Sequence, residues 1–569
     1  MSSFVFEMVY VNTASICVQK FNATYSEILM RPELFPFETP RPGQIEIVDD
    51  ILKAFDSGKK VVFLEAPTGS GKSAIAYTVA RHFSNSFYLT STKILQNQLM
   101  TDFGNRCKMV SLKGRNAYKC KKWPRAIKQS FGGEKEFKQS TVKQISRPEF
   151  NFSCGVGYCK IVKKKAALPE CLDEDRIIKG NLCDYWQQVH AALQSDICVM
   201  NFDSFLYQTA YSAAFKKHTR NLLLADECHN VENKLLDFVT LTISDRDLNV
   251  VLTAQNDAEA YAKYFDSMGL VQKIVMARSV AQQLDDIRKD ERLENLQSRL
   301  AMFKEELHNN QWVCSFRKTH RYRVIEIKPL FVKKFARDLI LTKASHVLMM
   351  SATILSSQTM MYSLGLEQHE VAFFRMPSYF PVENRPIYLE PAGSLSFKNK
   401  HDSYPELIKT VDKICAKYPD EKGIIHTHNF EIAELLIDGC KSSSRFLFQK
   451  DFDSKDAMLE CHKSRPNTVL VAPAMHEGLS LNDSLSRFQI ICKIPYPNQN
   501  ENPQLKERVK LSWNYYVWLT ALKLVQSSGR SVRHDKDWAH TYIVDSDFAK
   551  FFDMSYDILP DWFVEAIQV

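Results

Sequence analysis

The sequence predicts an α/β fold with two parallel-sheet domains. Residues 61–65 (VVFLE) are a short run that is apolar up to its last residue and begins with two β-branched valines, and they lead through a glycine-containing loop into a stretch with helical apolar spacing. Residues 221–227 (NLLLADE) are apolar almost throughout, as are strands buried on both faces of a parallel sheet. In the second half, strand-like runs at residues 423–430, 468–474 and 488–497 alternate with helical stretches. These observations place one α/β domain in each half of the chain.

Length and composition exclude several classes of protein. A chain of 569 residues is too long for one ordinary hydrophobic core. Its 45% hydrophobic and 25% charged residues are typical of globular proteins, which excludes a disordered or collagen-like chain. Since no apolar run approaches the ~18 residues of a membrane span and no basic signal region precedes one, we expect an intracellular protein with no membrane partner. It would lie in the cytoplasm or nucleoid, or in the nucleus of a eukaryote.

Two insertions are expected to interrupt the first domain. Residues 107–186 are rich in cysteine and broken by proline and glycine, whereas residues 244–310 lack proline and show helical apolar spacing. The expected segments are the first part of domain one (1–106), a cysteine-rich insertion (107–186), more of domain one (187–243), a helical insertion (244–318), the last part of domain one (319–365) and domain two (366–569).

Positive charge is concentrated in one segment. The net charge is +8, but residues 113–165 contain fifteen basic and three acidic side chains, so they carry +12 and the remainder carries −4. A local patch of this kind is typical of a surface that binds a polyanion, although a solvated loop could also hold it.

A phosphate-binding loop follows the strand at residues 61–65. The loop fits the P-loop pattern except that alanine replaces its first glycine; its residues are Ala66, Pro67, Thr68, Gly69, Ser70, Gly71, Lys72 and Ser73. The glycines let backbone N–H groups surround phosphates, Lys72 would reach the β- and γ-phosphates of ATP, and Ser73 would ligate Mg²⁺.

Three further groups would complete a hydrolytic site. Asp226 would join the Mg²⁺ shell, and Glu227 would orient and deprotonate the attacking water. On one helix Gln526, Arg530 and Arg533 would share a face, from which the arginines could compensate charge at the γ-phosphate. Taken alone, the two acids could cap a helix, and the two arginines could be solvated or paired with nearby aspartates.

The order and spacing of these motifs resemble the XPD/DinG-like iron–sulfur branch of the superfamily-two helicases, over most of residues 35–548. The resemblance implies two RecA-like motor domains, with an iron–sulfur insertion and a helical arch insertion in the first. It also implies roles for further residues: adenine recognition by Arg41 and Gln44, DNA-backbone contact by Thr90, Thr92 and Lys93, and coupling of hydrolysis to domain movement by Ser351, Thr353, Glu477 and Gly478. Cys228 departs from the alanine that is usual in this branch, and His426 and His428 depart from its fourth motif.

Five cysteines in the insertion are candidate metal ligands. By the same resemblance, four of them would hold a [4Fe–4S] cluster, and Cys120 and Cys183 lie in the segments that best match the family; the other three are Cys154, Cys159 and Cys171. Zinc is the alternative metal because Cys₄ sites bind it as well, and ordinary buried thiols are the second alternative.

These residues favour an ATP-dependent DNA helicase. The resemblance implies 5′→3′ movement of a monomer on single-stranded or forked DNA, with ATP, Mg²⁺ and the cluster as cofactors. Lys163, Lys164 and Lys165 would contact DNA phosphates. A translocase that remodels protein–DNA complexes without unwinding and a non-enzymatic nucleic-acid-binding protein are the alternatives.

Overall fold

Two α/β domains form the described part of the chain. A computed structural model describes residues 31–118, 183–244, 312–318, 323–473 and 481–568. Within these ranges there are two seven-stranded sheets, in which all paired strands are parallel, and a three-stranded antiparallel sheet. No helix in these ranges is both long and apolar enough to cross a membrane.

The first sheet has the strand order β10-β1-β9-β5-β2-β4-β3. Its strands are β1 Val61–Glu65, β2 Ser86–Thr90, β3 Met109–Ser111, β4 Ile197–Asn201, β5 Arg220–Asp226, β9 Ala344–Ser351 and β10 Val371–Arg375. The strand expected at residues 61–65 is confirmed. Alternate residues of β1 enter two cores, because Val61 and Phe63 point to one face of the sheet while Val62 and Leu64 point to the other.

Helices cover both faces of this sheet, as parallel strands require. They are α1 Gln44–Asp56, α2 Lys72–Phe83, α3 Lys93–Phe103, α4 Asp184–Leu193, α5 Phe202–Tyr211, α6 Ala213–Lys216, α7 Val231–Val239, α8 Lys333–Leu339 and α9 Ser357–Leu364. Polar side chains cap several of them: Asn201 Oδ1 accepts from the Ser204 amide at 2.8 Å, and Thr92 Oγ1 accepts from the Leu95 amide at 3.3 Å.

The second sheet has the order β13-β14-β12-β15-β16-β11-β17. Its strands are β11 Ile387–Leu389, β12 Gly423–His426, β13 Phe446–Phe448, β14 Val469–Ala472, β15 Phe488–Ile491, β16 His540–Ile543 and β17 Ile567–Gln568. Its helices are α10 Lys400–Lys417, α11 Phe430–Gly439, α12 Lys455–Ser464, α13 Pro503–Leu511, α14 Trp513–Ser528, α15 Phe548–Ser555 and α16 Asp561–Val564.

Sheet pairing moves two of the expected segment boundaries. Strand β3 pairs with β4, so residues 109–111 belong to the first domain and not to the cysteine-rich insertion. Strand β10 pairs with β1, which extends the first domain to Arg375, past the expected limit at residue 365. In both cases hydrogen bonding to a distant strand decides the assignment, and a single sequence does not reveal that partner.

The end of the expected helical insertion is a strand. Residues Trp312–Lys318 form β7, which pairs with β8 Arg323–Pro329, and β8 also pairs with β6 Leu241–Ser244. The alternating, aromatic-rich run WVCSF fits this strand. The helical prediction for residues 245–311 lies outside the described residues.

One apolar core connects the two domains. It contains first-domain residues such as Leu235 and Val347 together with second-domain residues of α13 and α14, including Leu505, Trp518 and Ala521. Helix α14 therefore packs against both domains, and its last turn lies at the cleft between them.

Candidate nucleotide-binding site

The phosphate loop has the backbone that its glycines allow. Gly69 and Gly71 have φ values of +85° and +77°, in the left-handed region that favours glycine. Helix α2 begins at Lys72, directly after the loop. Lys72 Nζ donates to the carbonyl oxygen of Ala66 at 2.9 Å, and the Ala66 amide donates to the Ser351 carbonyl at 2.9 Å. The loop that the sequence predicts is therefore present, between a strand and a helix.

Arg41 and Gln44 hold this loop from outside. Arg41 Nη1 donates to the Gly69 carbonyl, and Gln44 Nε2 donates to the Ser70 carbonyl at 2.8 Å. The Arg41 amide in turn donates to Gln44 Oε1 at 2.8 Å. Both side chains thus order the phosphate loop, and their expected contact with adenine stays a prediction.

The two acids at the end of β5 lie in different environments. Asp226 is the last residue of the strand and is buried, whereas Glu227 lies beyond it with a φ of +54° and is partly exposed. Burial, followed by the neighbouring Glu227 carboxylate, raises the pKa of Asp226 to about 7. A bound divalent cation would relieve this penalty, and the carboxylate of Asp226 and hydroxyl of Ser73 are oxygen donors that suit Mg²⁺.

The arginines are not on the predicted helix. Helix α14 ends at Ser528, Gly529 follows as its C-cap, and Arg530 and Arg533 lie in the turn beyond it. Contacts with β15 and with Ser486, which lies just before this strand, favour this turn over continued helix, since Ser531 Oγ donates to Gln489 Oε1 at 3.3 Å and lies 2.7 Å from Ser486 Oγ.

The buried Asp537 carboxylate holds the arginine turn. It accepts hydrogen bonds from the Arg533 amide at 3.1 Å and from Arg487 Nη1 at 2.8 Å. Burial, followed by the charge of Arg530, lowers the pKa of Arg533 to about 10. An anion in the cleft would therefore be favoured by two partly buried positive charges.

One cleft brings the predicted groups together, although the prediction that the two arginines lie on a helix was wrong. It has a volume of about 1030 Å³ and lies between the two domains. It is lined by residues of the phosphate loop, the acid pair and the second domain, and by Arg41. The predicted site residues among them are Arg41, Gly69, Lys72, Ser73, Asp226, Glu227, Gln526, Arg530 and Arg533.

His229 connects motifs of both domains, which the sequence analysis missed. Gln526 Nε2 lies 2.9 Å from His229 Nε2 and 3.1 Å from Thr353 Oγ1, and His229 Nδ1 lies 2.7 Å from Ser351 Oγ. An amide NH₂ only donates, so Nε2 accepts and the ring proton sits on Nδ1, from which it is donated to Ser351. Ser351 in turn donates to Glu227 at 3.5 Å. The position of His229 directly after Asp226, Glu227 and Cys228 was the one sequence feature that could have indicated its role.

A connector between the domains also lies against the loop. A Cβ placed on Gly69 would lie 2.1 Å from Cζ of Phe380, and a Cβ on Gly43 would lie 2.4 Å from the Tyr379 hydroxyl. Both aromatic residues belong to the stretch 378–386, to which the sequence analysis gave no site role. Phe380 also lines the cleft.

Gly69→Ala is therefore expected to weaken ATP binding about tenfold or more. The new side chain would strain the backbone, which has a left-handed conformation at this position, and would collide with Phe380. Titration with a fluorescent ATP analogue measures the effect. Gly58→Ala is the matched control, since Gly58 has a φ of +91° but no heavy atom within 4 Å of the added Cβ. Equal nucleotide affinities in the two variants would contradict the role of close packing at Gly69.

The candidate DNA contacts differ in exposure. Thr92 and Lys93 are exposed at the start of α3, whereas Thr90 is buried and its hydroxyl donates to the Thr92 carbonyl at 3.0 Å. The burial of Thr90 corrects its assignment to direct backbone contact and gives it a structural role at the end of β2. Residues Glu477, Gly478 and Lys163–Lys165 lie outside the described residues.

The described residues flanking the cysteine-rich insertion converge. The Tyr118 and Tyr185 rings are 5.6 Å apart, and the Arg115 guanidinium lies 5.0 Å from the Tyr185 ring centroid. Cys183 is half-buried at the start of α4. The described residues just before position 119 and just after position 182 are therefore close together, which suits a metal site that needs cysteines from both ends of this segment. Cys120, Cys154, Cys159 and Cys171 lie outside the described residues.

Comparisons with known proteins agree with this arrangement. Residues 412–565 match the helicase C-terminal domain family, and residues 38–265 match the type III restriction enzyme res subunit family. The ATP-dependent DNA helicase chl-1 of Caenorhabditis elegans is 32% identical over 90 residues, which are 14% of this chain and 11% of that relative. The ATP-dependent DNA helicase CHL1 of Candida albicans is 31% identical over 97 residues, 14% of this chain and 12% of the relative. The similarity thus spans a small part of each relative.

Solved structures extend the likeness to most of the chain. S. tokodaii Xpd4 has a TM-score of 0.55 at 14% identity and covers 93% of this chain and 99% of its own. An XPD helicase structure has a TM-score of 0.59 at 13% identity and covers 92% of this chain and 98% of its own. At such identities the structures establish the fold, which is the two RecA-like domains that the motifs imply. The chain is thus similar in sequence to the two matched families and, over a short stretch, to CHL1 helicases, and it is similar in fold to XPD structures over most of its length.

Proposed function

We propose that the protein is an ATP-dependent DNA helicase that moves along single-stranded DNA and separates the duplex. One observation carries the proposal: the phosphate loop, the acid pair and the two arginines line the same interdomain cleft. Binding alone would not need a water-activating carboxylate opposite two cationic side chains. This arrangement favours hydrolysis over a non-enzymatic binding function.

The chain's own residues divide the work of hydrolysis. Gly69, Gly71 and Lys72 bind the phosphates, while Ser73 and Asp226 would hold Mg²⁺, which neutralises phosphate charge when bound. Glu227 orients water and accepts its proton, and Arg530 and Arg533 stabilise charge on the γ-phosphate from the second domain. Glu227 is linked to the helix that precedes the arginine turn through Ser351, His229 and Gln526. Loss of the γ-phosphate would therefore change contacts in both domains.

The relatives support DNA as the substrate and an intracellular compartment. Both CHL1 relatives carry the name ATP-dependent DNA helicase, which supports DNA as the nucleic acid and an intracellular, nucleoid or nuclear site of action. Movement 5′→3′ as a monomer belongs to the same proposal. Exposed Thr92 and Lys93 support a backbone contact on the first domain, and the +12 segment 113–165 supports a polyanion surface.

ATP hydrolysis with and without single-stranded DNA tests the proposal, together with strand displacement on a bare forked DNA. DNA-stimulated hydrolysis with strand separation is the expected result. Hydrolysis without separation on the bare fork would indicate the remodelling translocase, and absence of hydrolysis under all conditions would overturn the proposed enzyme.

The proposal includes a [4Fe–4S] cluster in the cysteine-rich insertion, held by four of the five candidate cysteines. Protein purified without oxygen is expected to be brown, with about four iron atoms per chain. Metal analysis and visible absorption check this. Colourless protein with one zinc atom per chain would contradict the cluster and indicate the alternative Cys₄ zinc site.

A further inference from the structure

A buried ion pair joins the two motor domains outside the nucleotide cleft. Glu232 lies in the first turn of α7 in the first domain, and Arg508 lies on α13 in the second. Their Oε1 and Nη1 atoms are 2.6 Å apart, and the side chains are 5% and 2% exposed. Because removal of both charges from water is unfavourable, such a pair is retained only where its geometry is well satisfied.

The surrounding groups satisfy both charges. Arg508 donates from Nη1 to the Leu330 carbonyl at 3.1 Å and from Nη2 to Ser363 Oγ at 3.2 Å. The second oxygen of Glu232 accepts from the Tyr515 hydroxyl at 3.2 Å, and the Tyr515 ring centroid lies 4.0 Å from the Arg508 guanidinium. Directional bonds on both sides fix the positions of α7, α13 and the start of α14 relative to one another.

Helices α7 and α14 also make contacts near the nucleotide site. Glu232 is three residues after His229, which contacts Gln526 near the end of α14 at 2.9 Å. Between these points Trp518 Nε1 donates to the Ile354 carbonyl at 2.8 Å. Helix α14 is therefore attached to the first domain along its length, over about 16 Å between Tyr515 and Gln526 at 1.5 Å per residue.

We propose that Glu232 and Arg508 are positioning residues for hydrolysis, which hold the turn carrying Arg530 and Arg533 opposite Glu227. Neither touches the nucleotide cleft, so they act through α7 and α14. The proposal rests on the ATPase activity inferred above. We expect the pair to affect the rate of the chemical step and not the affinity for ATP, because the loop that binds the phosphates lies wholly in the first domain.

Two substitutions test the pair. Arg508→Met removes the cation, and Glu232→Gln keeps the shape of the carboxylate while removing its charge. In both, kcat per nucleotide-binding site is expected to fall about tenfold or more while the KM for ATP changes less than about twofold, since only transition-state contacts are displaced. Counting sites with a fluorescent nucleotide excludes a loss caused by unfolded protein. Hydrogen exchange of Trp513–Ser528 is expected to become faster in both variants.

Glu507→Gln is the matched control, because Glu507 lies beside Arg508 on α13 in an exposed pair with Lys510. It is expected to keep the parent kcat and the parent exchange of α14. Should Arg508→Met fail to fold, Glu232→Gln and Tyr515→Phe provide the same comparison.

Parent kcat in folded Glu232→Gln and Arg508→Met proteins would overturn the proposal, whatever their exchange rates. If the parent protein itself hydrolyses no ATP, the proposed function fails instead. Exchange of α14 then tests only whether the pair holds this helix against the first domain: faster exchange in the two variants but not in Glu507→Gln supports that attachment, and unchanged exchange overturns it.

Discussion

Glu227→Gln is expected to lower kcat for ATP hydrolysis by about 10²–10⁴-fold while leaving ATP affinity intact, because the amide cannot accept the proton of the attacking water. Its side chain keeps nearly the same shape, so the contact of Glu227 with Ser351 at 3.5 Å need not be displaced. Stopped-time hydrolysis assays and nucleotide titration measure the two quantities separately.

Lys72→Ala provides the contrast within the same cleft. Lys72 would bind the β- and γ-phosphates through charge-assisted hydrogen bonds, so its loss should raise the dissociation constant for ATP about 10–100-fold. Equal loss of hydrolysis with intact nucleotide affinity in both variants would contradict the assignment of Lys72.

Arg533→Ala is expected to lower kcat by about 10²–10³-fold with a much smaller change in the KM for ATP. Arg533 lines the cleft from the second domain, and in the proposed mechanism its partly buried cation stabilises charge that develops in the transition state. Steady-state kinetics at saturating single-stranded DNA separates the two constants.

Arg465→Ala is the control for Arg533→Ala, since Arg465 is exposed at the end of α12 in the same domain. It should hydrolyse ATP at the parent rate. An Arg533→Ala protein with the parent kcat would remove Arg533 from the site and leave Arg530 as the remaining candidate.

The sequence alone predicted the elements whose signals are local. The run at residues 61–65 was recognised as a strand because it is short, apolar and contains β-branched residues, and α2 was expected because a phosphate loop leads into a helix. Lys72 was also recognisable because it ends the glycine-containing loop that follows an apolar strand, and Asp226 and Glu227 because they stand at the end of another. Strand ends of a parallel sheet meet at one edge, so these residues had to lie close together.

Tertiary contacts decided the rest. The helix expected to carry Arg530 and Arg533 ends at Ser528, and the following turn is held by Asp537, four residues after Arg533, and by Ser486, which lies 45 residues before Ser531. The burial of Thr90 likewise depends on neighbouring strands of its sheet. Local periodicity contains no information on partners so far away in the chain.

Sequence by itself thus determined the two α/β domains, the phosphate loop and the acid pair, because each depends on a short, ordered run of residues. Only the tertiary structure decided where β3 and β10 belong, which atoms His229 connects, and that Glu232 meets Arg508. These features depend on hydrogen bonds and charge pairs between residues that lie about 90 to 310 positions apart in the sequence. Their geometry is set by how the two sheets and α14 pack together.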